Sequence, residues 1–302
     1  MNKEVYHIPA LLPQTIDALN IKPSGIYVDA TFGGGGHSRA IMERLDSNGH
    51  LYSFDQDEDA VNRAFSDPRF TMVYGNFRFL SNFLRYYNID SVDGILGDLG
   101  VSFHHFDDSS RGFSFRTEGK LDMRMNRHAA LTASTILNEY SGEQLADIFY
   151  LYGELSAARK IASAIVSARQ KTPVDTTDRL LEVCRPFISP KKEKKDMACI
   201  FQALRIEVNG ELDALRSFLE QATDVLKPGG RLAILTYHSL EDRLVKNFMR
   251  YGNFTGNAEK DFFGRINAPL KQVNSKPVIP DEDEIASNPR SRSAKLRIAE
   301  KL

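Results

Sequence analysis

Three features of the 302-residue chain predict an α/β fold, a Rossmann-like, mostly parallel sheet with helices on both faces, carrying an inserted all-helical domain. Short apolar runs alternate with helical patterns between Ile26 and Leu96. The first of these runs empties into four consecutive glycines, Gly33, Gly34, Gly35 and Gly36. A long middle stretch then carries helical periodicity without any strand pattern.

Ile26–Thr31 reads as the first strand, and the glycines after it let the backbone turn sharply and bring its N–H groups against a ligand. His37 and Ser38 close the loop, and the next helix runs on to Leu45. His50–Phe54, Phe70–Tyr74 and Val92–Leu96 are the following strands. From Val101 to Arg127 the alternation gives way to a polar, aromatic and arginine-rich loop. Beyond it, Ser141-Gly142-Glu143-Gln144 has the form of a capping box, and Leu145, Ile148, Phe149 and Tyr152 share one helical face. Ala157, Ile161, Ala164, Ile165 and Ala168 define a second helix, Pro173, Pro186 and Pro190 bound a third, and Lys191 to Lys195 read as a charged linker. Leu204, Val208, Leu212, Leu215 and Leu219 form one stripe that faces a core. Lys227-Pro228-Gly229-Gly230 is a turn into the strand Arg231–Thr236, and Ala294–Glu300 alternates as the last strand. The expected domains are therefore a first core segment over 1–105, a helical insertion for substrate recognition over 106–196, and a second core segment over 197–302.

In an open α/β sheet, ligands bind beyond the carboxyl ends of the strands. Asp29 and the glycines end the first strand. Asp55 ends the second, about 20 residues past the loop, where an acid commonly takes ribose hydroxyls. Phe77 follows the third, as a surface for an adenine ring or as simple packing, and Asp98 follows the fourth. His238 follows the fifth, as a proton acceptor, a base contact or hydrogen-bonded packing. Asp57, Glu58 and Asp59 are read as helix-start charges. A dinucleotide fingerprint would place its third glycine where Ser38 stands, and Asp29 would repel a pyrophosphate. S-adenosylmethionine suits the site better, because it brings a sulfonium and an ammonium and no phosphate.

Lysine plus arginine number 39 against 40 acids, a formal net charge of -1, so nucleic acid must be held by local patches and no membrane surface is indicated. Arg111, Arg116, Arg124 and Arg127, interleaved with Phe113 and Phe115, form such a grouping, as do Arg290, Arg292, Lys295 and Arg297 near the end. Gln202, Arg205 and Asn209 share a helix face that is either a polar site or a solvated one. The two cysteines, Cys184 and Cys199, make neither a disulfide framework nor a metal-ligand spacing, so no metal is expected. Lys3, Glu4 and His7 interrupt the start of the chain, and a cytoplasmic protein is expected.

Eight blocks in order closely resemble the bacterial small-subunit ribosomal RNA cytosine-N(4) methyltransferase family, known as RsmH or MraW. They are His7-Ile8-Pro9 with Leu11-Leu12, Asp29 to Ser38, Gly94-Ile95-Leu96 with Asp98 to Ser102, Arg111 to Phe115, Leu121 to Met125, Phe201 to Ile206 with Val208-Asn209, His238 to Arg243, and Asn288-Pro289-Arg290. The resemblance implies a class I methyltransferase core that binds S-adenosylmethionine, and methylation of one cytidine in the decoding region of 16S rRNA, at the P site. It carries the cofactor contacts onto Gly35, Gly36, His37, Asp55, Phe77, Asp98 and His105, with Asp29, Gly33 and Gly34 lining the loop. At His105 the family more often has glutamine, and at Phe103 a second serine.

Cytosine's exocyclic amine is a poor nucleophile because its lone pair is delocalised into the ring, so an acceptor for one amine hydrogen is expected. Asp98 is the candidate, with His238 as a second catalytic residue. Neither cysteine lies at a strand end, which argues for direct in-line transfer without a covalent intermediate. Arg111, Phe113, Phe115, Arg116, Arg124, Arg205, Asn209, Ser239, Arg290 and Arg292 are the residues expected to face RNA, within the small ribosomal subunit. A nicotinamide-dependent oxidoreductase and a catalytically silent rRNA-binding assembly factor are the alternatives, and a homodimer is left open.

Overall fold

A computed structural model describes residues 9–101, 106, 108–260, 262–264 and 266–302. The chain forms two compact units, Met1–Gly100 with Leu212–Leu302, and Val101–Glu211.

The first unit is built on a seven-stranded sheet in the order β3-β2-β1-β4-β5-β7-β6. Its strands are β1 (Ile26–Asp29), β2 (His50–Asp55), β3 (Phe70–Tyr74), β4 (Val92–Asp98), β5 (Leu226–Thr236), β6 (Leu270–Gln272) and β7 (Lys295–Lys301). From β3 across to β5 all neighbours are parallel, and β7 runs antiparallel between β5 and β6. Its helices are α1 (Leu12–Ala18), α2 (Gly36–Met42), α3 (Glu58–Val61), α4 (Leu80–Tyr86), α10 (Glu211–Val225), α11 (Ser239–Tyr251) and α12 (Glu282–Ser287). Leu51–Phe54 of β2, Gly94–Gly97 of β4 and Leu232–Thr236 of β5 are buried without alternation, as strands covered on both faces must be. Tyr27, Ile41, Leu51, Leu96, Leu235 and Leu296 belong to one core cluster. The expected doubly wound core is present. Strand order reverses at β1, which pairs with both β2 and β4, and the crevice at the ends of these strands is where such sheets bind ligands.

Two expectations for this sheet need correction. Lys227–Gly230 is an excursion within β5 rather than a turn before it, because pairing with β4 passes from Val92↔Leu226 directly to Gly94↔Arg231. β6 was not expected at all. Leu-Lys-Gln is too short to show alternation, and its pairing with β7 specifies it.

The second unit contains α5 (Ala133–Glu139), α6 (Gly142–Leu151), α7 (Ala158–Arg169), α8 (Thr177–Cys184) and α9 (Glu193–Asn209). Ser141 and Gln144 form the reciprocal capping box at the start of α6. Ile136, Leu145, Phe149, Ile161, Ile165, Leu180, Ile200 and Leu204 share its core. The expected boundary at 196/197 falls inside α9. That helix starts where a linker was expected, because Glu193 and Asp196 favour the positive end of its dipole and Met197, Ile200, Phe201 and Leu204 bury one side. Gly210, at φ 57, ends it in the left-handed conformation. The single stripe from Leu204 to Leu219 is thereby cut in two, with Leu204 and Val208 in the helical core. Among the described residues no helix is long and apolar enough to cross a membrane.

Candidate active site

The loop after β1 is fixed by a carboxylate beneath it. Asp29 is fully buried. Its Oδ1 accepts from the Thr31 amide at 3.1 Å and the Thr31 hydroxyl at 3.4 Å, and its Oδ2 accepts from Ser38 Oγ at 2.6 Å. The residue therefore braces the loop from inside and does not line it, a correction to the expectation of a surface that attracts a cation. Burial raises its carboxyl to about 6 against the opposing hydrogen bond from Ser38. Gly33 and Gly35 are left-handed at φ 52 and 74. A Cβ on Gly35 would stand 2.7 Å from the Phe32 ring, one on Gly36 would collide with Pro9, and one on Gly34 would meet open space. The loop thus passes close to its own supports at Gly35 and Gly36 and presents Gly34 toward open space.

Asp55 closes the other side. Its Oδ2 accepts from the Gly33 amide at 2.8 Å and its Oδ1 from the Asp57 amide at 2.9 Å, so it shapes the glycine loop while remaining partly exposed. Burial pushes it up to about 6. Asp57 caps α3 through the Asp59 amide, as a helix-start charge should. Phe77 opens a short 3-10 turn after β3, and its ring meets Phe218 edge-on at 5.1 Å, so one side of it is packing.

Asp98 ends β4 beside this loop. Its amide donates to Thr31 Oγ1 at 2.7 Å, which ties β4 to the Asp29 brace. Oδ1 accepts from the Tyr237 hydroxyl at 2.7 Å, and Oδ2 lies 3.5 Å from His37 Nδ1. The side chain stays 23% exposed. Burial raises it to about 7, the Tyr237 hydrogen bond opposes the rise, and Glu241 adds to it. Burial in turn lowers His37, outweighing Asp29 and the Ala10 carbonyl, so the imidazole is neutral near pH 7. Tyr237 is pushed well above 10 by burial and by Asp98, and it therefore remains a donor. Sequence reasoning missed Tyr237. The available signal was its place directly after β5, the strand that pairs with β4.

His238 is held as a helix cap. Its Nδ1 receives the Glu241 amide at 3.5 Å and its Nε2 faces Glu241 Oε1 at 3.1 Å, while Glu241 Oε2 accepts from the Tyr237 and His238 amides. Nδ1 thus caps the start of α11, a packing role, while Nε2 is buried without a hydrogen-bond partner among the described residues. His105 lies outside the described residues.

Most residues expected to face RNA are internal supports. Arg111 is 3% exposed and donates to the carbonyls of Arg124 and Met125. Phe113 is 4% exposed in the helical core, and Phe115 meets Phe201 edge-on at 5.6 Å. Arg124 grips Asp122 with two bonds, at 2.8 and 2.7 Å, and Arg205 grips Glu211 likewise, both at 2.8 Å. Asn209 accepts from the Met125 amide and donates to the Met123 carbonyl, and Gln202 donates to the Tyr152 carbonyl. Arg297 is buried against Asp242 at 2.7 Å. Lys295 lies 3.5 Å from Asp242, and Arg127 lies 3.9 Å from Asp108. Arg116, Ser239, Arg290 and Arg292 are exposed, as an RNA contact requires. The arginines that are clamped have acids or carbonyls at close range that a linear grouping does not reveal.

A family model described as the MraW methylase family matches residues 4–302. The chain belongs to the MraW methylase family. Two of its relatives, each called "Ribosomal RNA small subunit methyltransferase H", come from Phocaeicola vulgatus and Bacteroides fragilis. The first is 61% identical over 99% of this chain and 98% of its own length, the second 60% identical over 98% and 97%. A third of the same name, from Azobacteroides pseudotrichonymphae, is 54% identical over 98% of both. Membership in the MraW methylase family makes methyl transfer from S-adenosylmethionine the activity, in place of hydride transfer with a nicotinamide. The residues present suit that donor. Among the described residues no lysine or arginine acts on Asp55 or Asp98, so two partly exposed carboxylates stand uncompensated where a sulfonium and an ammonium would neutralise them. When bound, the donor supplies an electrophilic methyl carbon.

Proposed function

We propose that this chain methylates the exocyclic N4 amine of a cytidine in the decoding region of small-subunit rRNA, at the P site, by direct in-line transfer. The observation that carries the reading is Asp98, whose Oδ1 is held by Tyr237 and whose side chain is partly exposed at the carboxyl end of β4. An amine delocalised into a pyrimidine attacks only when an acceptor takes one of its hydrogens and directs its lone pair. Asp98 fills that role. With its proton affinity raised to about 7, it accepts a hydrogen bond from the amine and then the proton that methylation releases. Gly33 to His37, Asp55 and Phe77 hold the donor, and His238 serves by fixing the start of α11. The cysteines support transfer without a covalent intermediate: burial pushes Cys184 up to about 12 and also raises Cys199, so neither is a thiolate near pH 7.

The three curated relatives are named for small-subunit ribosomal RNA, which favours that RNA as the substrate. Such a substrate belongs to the cytoplasm. The test is to incubate isotopically labelled donor with small subunits lacking the modification, then digest the RNA and identify the labelled nucleoside. N4-methylcytidine from one decoding-region position is expected. Label on carbon 5, on a ribose or on another base overturns the assignment, and binding without any transfer makes the chain an assembly factor.

A further inference from the structure

We propose that the outward face of α11 is a phosphate track for the RNA strand whose base enters the site. The inference rests on the rRNA reading above and names the surface that would hold the strand. Leu240, Leu244, Val245, Phe248 and Met249 bury one side of the helix. Ser239, Arg243, Lys246 and Arg250 are all exposed. At about 100° per residue these four fall within about 60° of one another, and the three cations extend along roughly 10 Å of axis. The acids of the same helix are turned elsewhere. Glu241 is buried against the amides of Tyr237 and His238, and Asp242 is held by Arg297 and Lys295.

Position gives the stripe its meaning. The helix starts just after Tyr237, which holds Asp98, so a strand with one base near Asp98 has this face beside it as it leaves. At its far end α11 stops at Gly252, packed beside Ala268 and Pro269. Just before them the Asn267 amide donates to the Glu259 carbonyl, and between these two residues in sequence Phe262 is 98% exposed and Phe263 80% exposed. Cations together with displayed aromatic rings match a single nucleic-acid strand, which offers phosphates and stacking bases. An acidic protein would use the cations alone.

The experiment measures the affinity of the full-length protein for unmodified small subunits at several salt concentrations, with S-adenosylhomocysteine present. Lys246→Ala and Arg250→Ala each lower the slope of log affinity against log salt by about 0.7, and the double Lys246→Glu/Arg250→Glu variant by about 1.4 or more. Donor affinity and melting temperature stay at the wild-type values, and Lys246→Arg restores the slope. Variants that match wild type in RNA affinity and slope, while wild type methylates the subunit, overturn the track alone. Loss of self-association or of a protein partner with RNA affinity intact overturns it in favour of a protein surface. Wild type that neither binds nor methylates small subunits removes the substrate reading and the track together.

Discussion

Tyr237→Phe isolates the contribution of a single hydroxyl to the proposed acceptor. The 2.7 Å bond from Tyr237 to Asp98 stabilises the ionised carboxylate, and burial opposes that ionisation. A hydrogen bond to a charged group contributes about 1.5–3 kcal/mol, and about 1.4 kcal/mol corresponds to one pKa unit. Removing it therefore moves Asp98 from about 7 upward by about 1–2 units. Near pH 7 the ionised fraction then falls from about half to roughly 1–10%, a loss of about 5- to 50-fold in single-turnover rate. The assay is methyl transfer at saturating RNA and donor well below saturation, where the rate reports the free enzyme's proton affinities, followed from about pH 6 to about pH 9. The acid limb is expected to shift upward by about 1–2 units, with the rate recovering toward wild type at the alkaline end. A uniform loss with an unmoved midpoint would refute the coupling, as would no loss at all.

Donor binding should tighten about tenfold between pH 6 and pH 8, because Asp98 is mostly protonated at the lower value and ionised at the higher; calorimetry in matched buffers checks this. The same raised proton affinities set the sign of stability without donor. Asp29, Asp55 and Asp98 bind protons more tightly folded than unfolded, so their contribution is full below the ordinary carboxylate range and is lost as pH rises through about 6 to 7. Melting temperature should follow that fall, and saturating donor should offset it. Gly35→Ala combines a left-handed φ of 74 with a Cβ 2.7 Å from Phe32, and is expected to cost about 1–3 kcal/mol in denaturant unfolding and to weaken donor binding. Arg124→Ala breaks a two-bonded pair with Asp122 and is expected to lower stability by about 1–3 kcal/mol while leaving the salt dependence of RNA binding unchanged.

Strand ends were readable because their chemistry is local. A carboxylate or glycine at the end of a short apolar run keeps its meaning in the fold, and Asp29, Asp55 and Asp98 all converge around the one loop. What a carboxylate faces is not local. Asp29 turned inward to Thr31 and Ser38, and only burial distinguishes a brace from a ligand. The arginines show the same limit more strongly. Arg124 and Arg116 look alike in sequence, yet Asp122, two residues before Arg124, captures it, while Arg116 stays exposed. The end of α9 was within reach, since Asn209-Gly210 is an ordinary helix stop. An apolar stripe running across that stop concealed it. Tyr237 needed the sheet order, which no periodicity supplies.

The separation of β4 from β5 along the chain has a consequence for biosynthesis. Asp98 leaves the ribosome long before Leu226, with the contiguous Val101–Glu211 unit between them. At about 5–20 residues per second, roughly 130 intervening residues delay the partner strand by on the order of ten seconds. In that interval the helical unit can complete itself, while one margin of β4 offers the unpaired backbone of Ile95 and Leu96 to any neighbouring nascent chain. Slow codons placed before Val225 would lengthen this exposure and raise the yield of aggregate, whereas the same codons after Thr236 would not.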